Sequence, residues 1–120
     1  MERILFSPLG DTDPVRGCYD GAMLHILRHY HPARVVLFYT KDMAEKEYRD
    51  HRYTRAIHRT APDCVIEEIF TDIQEAHLYE SFSQLLPQAV LRLRSEHPRA
   101  QILLNLSSGT PQMKTVLAML

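Results

Sequence analysis

The sequence predicts an α/β fold, a three-layer domain built on a mainly parallel sheet, and three observations carry that expectation. Four short segments read as buried strands: Arg3 to Ser7 (RILFS), Arg34 to Thr40 (RVVLFYT), Cys64 to Thr71 (CVIEEIFT) and Gln101 to Leu106 (QILLNL). Three are nearly continuous apolar runs, the pattern of strands covered on both faces rather than one. Between them lie stretches long enough for crossover helices, so the element order is βαβαβαβ followed by the start of another helix. With 120 residues and 45% apolar side chains, the chain has material for one core and not two.

The helices follow in order. The first spans Asp20 to Tyr30, because Met23, Ile26, Leu27 and Tyr30 recur at i, i+3, i+4 and i+7, with Asp20 as its N-cap and His31-Pro32 as its stop. A second, Lys41 to Thr60, is polar almost all round, with Met43, Tyr48, Tyr53 and Ile57 as scattered apolar points. The third, Leu78 to Glu96, buries a stripe of Leu85, Leu86, Val90 and Leu93, and Pro87 in its middle predicts a kink or a split.

Right-handed crossovers then fix the topology. Two connections laid in one direction and a third returning past the first strand give a Rossmann-like sheet of order 3-2-1-4, truncated after the fourth strand. The loops that follow the first and fourth strands leave in opposite directions. A crevice opens outside their carboxyl ends, and open α/β sheets place ligands at such a switch point.

Composition removes several function classes. Fourteen Lys and Arg oppose fifteen Asp and Glu, a formal charge of −1, which leaves no broad basic surface to hold duplex DNA by counterion release. No apolar run approaches the roughly 20 residues that cross a bilayer, and Met1-Glu2-Arg3 enters a strand directly, so the expected location is cytoplasmic. Cys18 and Cys64 have neither zinc-pair nor CxxC spacing and read as reduced, structural residues. His25 and His29 stand one helical turn apart, but no third ligand has suitable spacing, and helix-surface histidines are the better reading. No metal and no cofactor are expected. Neither GxxxxGK[ST] nor GxGxxG is present, which removes the ordinary ATPase and dehydrogenase fingerprints.

What remains is the pair of loops. The first contains Gly10, Asp11, Thr12 and Asp13; the second runs Asn105-Leu106-Ser107-Ser108-Gly109-Thr110-Pro111-Gln112-Met113. Pro111 is a favoured first helical residue, and Thr110 is its natural N-cap. Backbone N–H groups and three hydroxyls would face the crevice beside a helix dipole, which suits phosphate. A plain capping turn would use the same residues; their coincidence with the switch point favours the ligand reading. Asp11 and Asp13 would repel a bare phosphate and fit better as acceptors for ribose hydroxyls or adenine amino groups, although both also read as turn and capping residues. Tyr39, Tyr48, Tyr53 and Tyr79 could stack adenines, half-buried core tyrosines being the commoner case, and Lys114 could reach a phosphate or stay solvated.

Three phrases carry a family resemblance: ILFSPLGDTDPVR, YDGAMLHILRHYHPARVVLFYT and, above all, ILLNLSSGTPQM. Together they resemble the CARF domain (CRISPR-associated Rossmann fold) at the N-terminus of Csm-type ancillary ribonucleases of type III CRISPR systems, over essentially the whole of residues 1–120. The resemblance implies a sensor for cyclic oligoadenylate of four or six AMP units, a homodimer with the ring lying across both crevices, and allosteric control of a C-terminal HEPN ribonuclease domain in antiviral defence. Carried over by motif, Asp11, Thr12, Ser107, Ser108, Gly109, Thr110 and Gln112 would line the site, with Thr40 a weaker candidate. Gly10, Asp13, Asn105 and Met113 belong to the same two loops. The chain ends inside the apolar run VLAML, so an incomplete sensor lacking its HEPN domain is expected. The HEPN spacing R-x4-6-H recurs at Arg92 to His97 and Arg52 to His58, but roughly two such matches arise by chance, and neither is assigned a role. No catalytic residue is assigned. A slow ring nuclease at the same site and an unrelated mononucleotide-binding or dimerisation domain are the competing readings.

Overall fold

A computed structural model describes residues 2–10, 13–16, 19–74 and 84–106. The main sheet contains β1 (Arg3–Pro8), β4 (Arg34–Tyr39), β5 (Val65–Phe70) and β6 (Gln101–Leu104). All pairings are parallel, in the order β5-β4-β1-β6, which is the expected 3-2-1-4. Two short strands not anticipated from the sequence, β2 (Val15–Arg16) and β3 (Tyr19–Asp20), form an antiparallel pair beyond the end of β1.

The strand pleat sorts β1 and β4 into two cores. Leu5, Val35, Leu37 and Tyr39 point to one face, where they meet α1 (Ala22–Tyr30), α2 (Lys41–Asp50) and α3 (Arg52–Thr60) through Met23, Leu24, Leu27, Met43, Tyr53 and Ile57. Ile4, Phe6, Val36 and Phe38 point to the other, beneath α4 (Leu85–Glu96) through Leu86 and Leu93. This is why β1 and β4 read as unbroken apolar runs: Ile4 to Pro8 and Val35 to Tyr39 are buried without interruption. β5 alternates instead and lies at an edge.

Three helix expectations are corrected. α1 begins after Gly21, not at Asp20, which lies in β3 and pairs with Arg28. The long polar helix is two helices. His51 adopts a left-handed conformation (φ 54°, ψ 35°) and turns the chain between α2 and α3. Buried Glu47 makes that break stable: Oε1 accepts the N–H groups of Tyr53 (3.1 Å) and Thr54 (3.2 Å), while Oε2 accepts the Thr54 hydroxyl (2.7 Å) and sits 3.1 Å from His51 Nδ1. A side chain of α2 therefore caps the otherwise unpaired first turn of α3. Pro87 causes no kink, because α4 starts at Leu85 and Pro87 falls in its first turn, where an N–H has no intrahelical partner to lose. Residues 78–83 of that expected helix lie outside the described ones.

The tyrosines divide. Tyr39 and Tyr53 are fully buried, edge to face at 5.9 Å, whereas Tyr48 is exposed and stacks on Phe70 (5.2 Å). Burial, with Glu68 accepting its hydroxyl at 2.7 Å, pushes the Tyr39 phenol far above its ordinary range. Tyr79 lies outside the described residues. Arg92 and Arg52, which open the two R-x4-6-H matches, are engaged in ion pairs with Glu67 and Asp50. Among the described residues no helix is long and apolar enough to cross a membrane.

Two outcomes follow. Glu47→Ala removes the cap of α3 and should cost about 2 kcal/mol, read as a lower urea midpoint, with Glu47→Gln costing less because one acceptor oxygen remains. Cys64 is a buried thiol whose pKa burial raises, against a weaker opposing pull from Arg34. Peptide-resolved iodoacetamide labelling at pH 8 should therefore modify Cys64 more slowly than a free cysteine, the rate rising to the free value in denaturant.

Candidate functional site

The carboxyl ends of β1, β4 and β6 are held in register by backbone bonds that extend past the strands. Leu9 N–H donates to Phe38 O (3.3 Å) on one side of β1, and Asn105 N–H donates to Phe6 O (3.0 Å) on the other. Both loops thus leave from neighbouring points at one end of the sheet, which is the switch-point geometry expected of this order.

The first loop is built around Asp13, only 5% exposed. Its Oδ2 accepts the Gly10 N–H (3.0 Å), its own N–H donates to Gly10 O (3.0 Å), and its Oδ1 accepts the N–H of Met23 (3.3 Å). Met23 is the second residue of α1, whose N-cap position is Gly21 and has no side chain to offer. Asp13 is therefore the cap of α1, supplied from ten residues upstream, and its carboxylate meets the positive end of that helix. Each of its oxygens accepts a backbone N–H, so the carboxylate holds the shape of the loop. Gly10 is buried within the same turn.

Thr40, at the end of β4, is buried and forms the N-cap position of α2 through its carbonyl, which accepts Ala44 N–H at 2.9 Å; its hydroxyl makes no cap bond. The chain leaving β5 folds over this end of β4. Thr71 donates its hydroxyl (2.7 Å) and N–H (3.1 Å) to Tyr39 O, and Lys41 N–H donates to Ile73 O (2.9 Å).

Asn105 is fully buried, and its Nδ2 donates to Ser7 Oγ at 2.9 Å. Ser7, also fully buried, is a neighbour of the switch point that the motif phrases alone do not single out. Its signal was a lone hydroxyl inside the apolar run ILFSPL, immediately before the loop. Of the expected lining, the structure thus brings together Gly10, Asp13 and Asn105, with Thr40 at the end of the adjacent strand. Asp11, Thr12, Ser107, Ser108, Gly109, Thr110, Gln112, Met113 and Lys114 lie outside the described residues.

Comparison with known proteins now bears on this arrangement. The family model for the Cas_Csm6 CARF domain matches residues 63–120. The CRISPR system endoribonuclease Csm6 of Mycobacterium tuberculosis is 42% identical over 114 residues, 95% of this chain and 28% of that protein. A solved structure, Enterococcus italicus Csm6 bound to cyclic hexa-2′-fluoro-hexa-dAMP, superposes with a TM-score of 0.90 at 38% identity, over 99% of this chain and 30% of that one. The chain is a Csm6-type CARF domain. It spans less than a third of the length of these relatives. A Csm6 of Streptococcus thermophilus, 33% identical over 96% of the chain, has the same proportion to it, 26% of its own length being covered. In this CARF domain the parallel neighbours β1 and β6 are the strands that open the first and third of the family phrases.

The committed Asp13 carboxylate gives a direct test. Asp13→Ala should destabilise the CARF domain by about 2 kcal/mol in guanidinium unfolding, since two buried N–H groups lose their acceptor, and the Gly10 and Met23 amide resonances should move more than those of α4.

Proposed function

We propose that this domain binds cyclic oligoadenylate in the crevice outside the carboxyl ends of β1 and β6, and that binding controls a ribonuclease domain in the full-length protein. The observation that supports the reading is the parallel adjacency of β1 and β6, from whose neighbouring carboxyl ends the two motif segments continue. The ligand carried by the E. italicus relative, a six-unit cyclic adenylate analogue, supports the same assignment.

The chemistry divides between the loops. Ser107, Ser108, Gly109 and Thr110 carry the N–H and hydroxyl groups suited to phosphate oxygens, and Gln112 and Met113 follow them in the same motif. Asp11 and Thr12 supply acceptors and a hydroxyl suited to ribose and adenine. Asp13 holds the first loop in shape through Gly10, and Thr40 closes the end of β4 beside it. A ring with an even number of AMP units shares a two-fold axis with an isologous pair of domains, so each half meets identical contacts. The ring can shift such a pair toward an active arrangement only by binding that arrangement better. No side chain here is assigned to cleavage.

Calorimetry with cyclic hexa-adenylate, cyclic tetra-adenylate, AMP and NAD decides the matter. One ring should bind per two chains, with AMP and NAD at least a hundredfold weaker, and Thr110→Ala or Gln112→Ala should each weaken the ring about tenfold. AMP or NAD binding as tightly as the rings would instead make this a general mononucleotide domain. Linear products with 2′,3′-cyclic phosphate ends would make it a ring nuclease.

A further inference from the structure

One polar contact inside the sheet has a position that its contribution to stability does not explain. Phe6 and Leu104 are register partners in the parallel β1–β6 pair, and Ser7 and Asn105 are the next residues outward. Both side chains are fully buried. Asn105 Nδ2 donates to Ser7 Oγ (2.9 Å), and the Ser7 hydroxyl donates to Pro8 O (3.0 Å), the carbonyl at which β1 ends. Amide, hydroxyl and carbonyl form a short relay from the root of one loop to the root of the other, between residues 98 apart in sequence.

An apolar pair of matching shape would fill the same space without desolvating the two polar side chains, and replacing both partners of a buried hydrogen bond in this way is often neutral. What a hydrogen bond adds is a single geometry. Apolar contacts tolerate sliding, whereas a donor and an acceptor meet at one distance and angle. We infer that Ser7 and Asn105 are positioning residues: a latch that fixes the separation of the two loops, so that a ligand spanning them meets a preset width. The ligand part of this inference rests on the proposed function. The latch itself does not.

The experiment uses the 120-residue chain and four proteins: wild type, Ser7→Ala, Asn105→Ala and the apolar double variant Ser7→Ala/Asn105→Leu. Hydrogen exchange is followed at the Leu9 and Gly10 amides, which donate to Phe38 O and Asp13 Oδ2. Asn105→Ala should accelerate exchange there at least tenfold, although the substitution lies on the other strand, while exchange in α3 stays at the wild-type rate. The double variant should melt higher than Asn105→Ala yet keep the fast exchange, and it should bind cyclic hexa-adenylate about tenfold more weakly. Slow exchange at Leu9 and Gly10 in Asn105→Ala, or recovery of exchange together with stability in the double variant, would overturn the latch and leave a packing contact. If wild type binds no ring, the functional proposal falls while the exchange data still decide the latch.

Discussion

β1 has no free side. One edge pairs with β4 and the other with β6, and its two faces are covered by α1 to α3 and by α4 respectively. Every residue from Ile4 to Pro8 must therefore suit burial on whichever face the pleat assigns it, and nearly all are apolar. The sheet order follows from this demand, because a strand in such a position needs crossovers that leave it in both directions. The crevice follows in turn. Wherever the direction of winding reverses about a central strand, the loops at its carboxyl end and at that of its new neighbour diverge, and a space opens between them.

Two buried carboxylates solve the same local problem on the α1–α3 side of that sheet. Gly21 and His51 stand at the N-cap positions of α1 and α3, and neither makes a side-chain cap bond. Asp13 and Glu47 do so from elsewhere in the chain, each accepting backbone N–H groups of the first helical turn. This distribution bears on anion recognition. The positive end of α1 is already answered by a carboxylate, so the first loop is poorly suited to a phosphate, and the second loop, rich in hydroxyl and amide groups, is the better host.

What could be read from the sequence was whatever depended on burial. Four apolar segments gave four parallel strands, and handedness alone gave their order. What could not be read depended on particular side chains meeting across the chain. The polar segment from Lys41 to Thr60 looked like one helix because the break rests on a left-handed His51 and a carboxylate four residues before it, neither of which disturbs the apolar period. Asp20 looked like a cap because it precedes the helix directly, while the true cap is Asp13, brought in by a turn and by the pairing of β2 with β3, two residues each. The Asn105–Ser7 bond was equally hidden, because Asn105 stands at the head of a polar loop and nothing in its neighbourhood in sequence points to a buried partner. Its partner Ser7, at the far end of the described chain, draws it inward.

The β5 edge carries one more implication. Glu67 and Glu68 stand side by side at the middle of this strand, the first near Arg34 and Arg92 and the second against the Tyr39 hydroxyl, so neither carboxylate is free to swing away. Charged side chains held in place on an edge strand are a feature that disfavours extension of the sheet by another strand. Among the described residues the outer edge of β5 has no strand beside it, and these two held carboxylates give that edge its charged character.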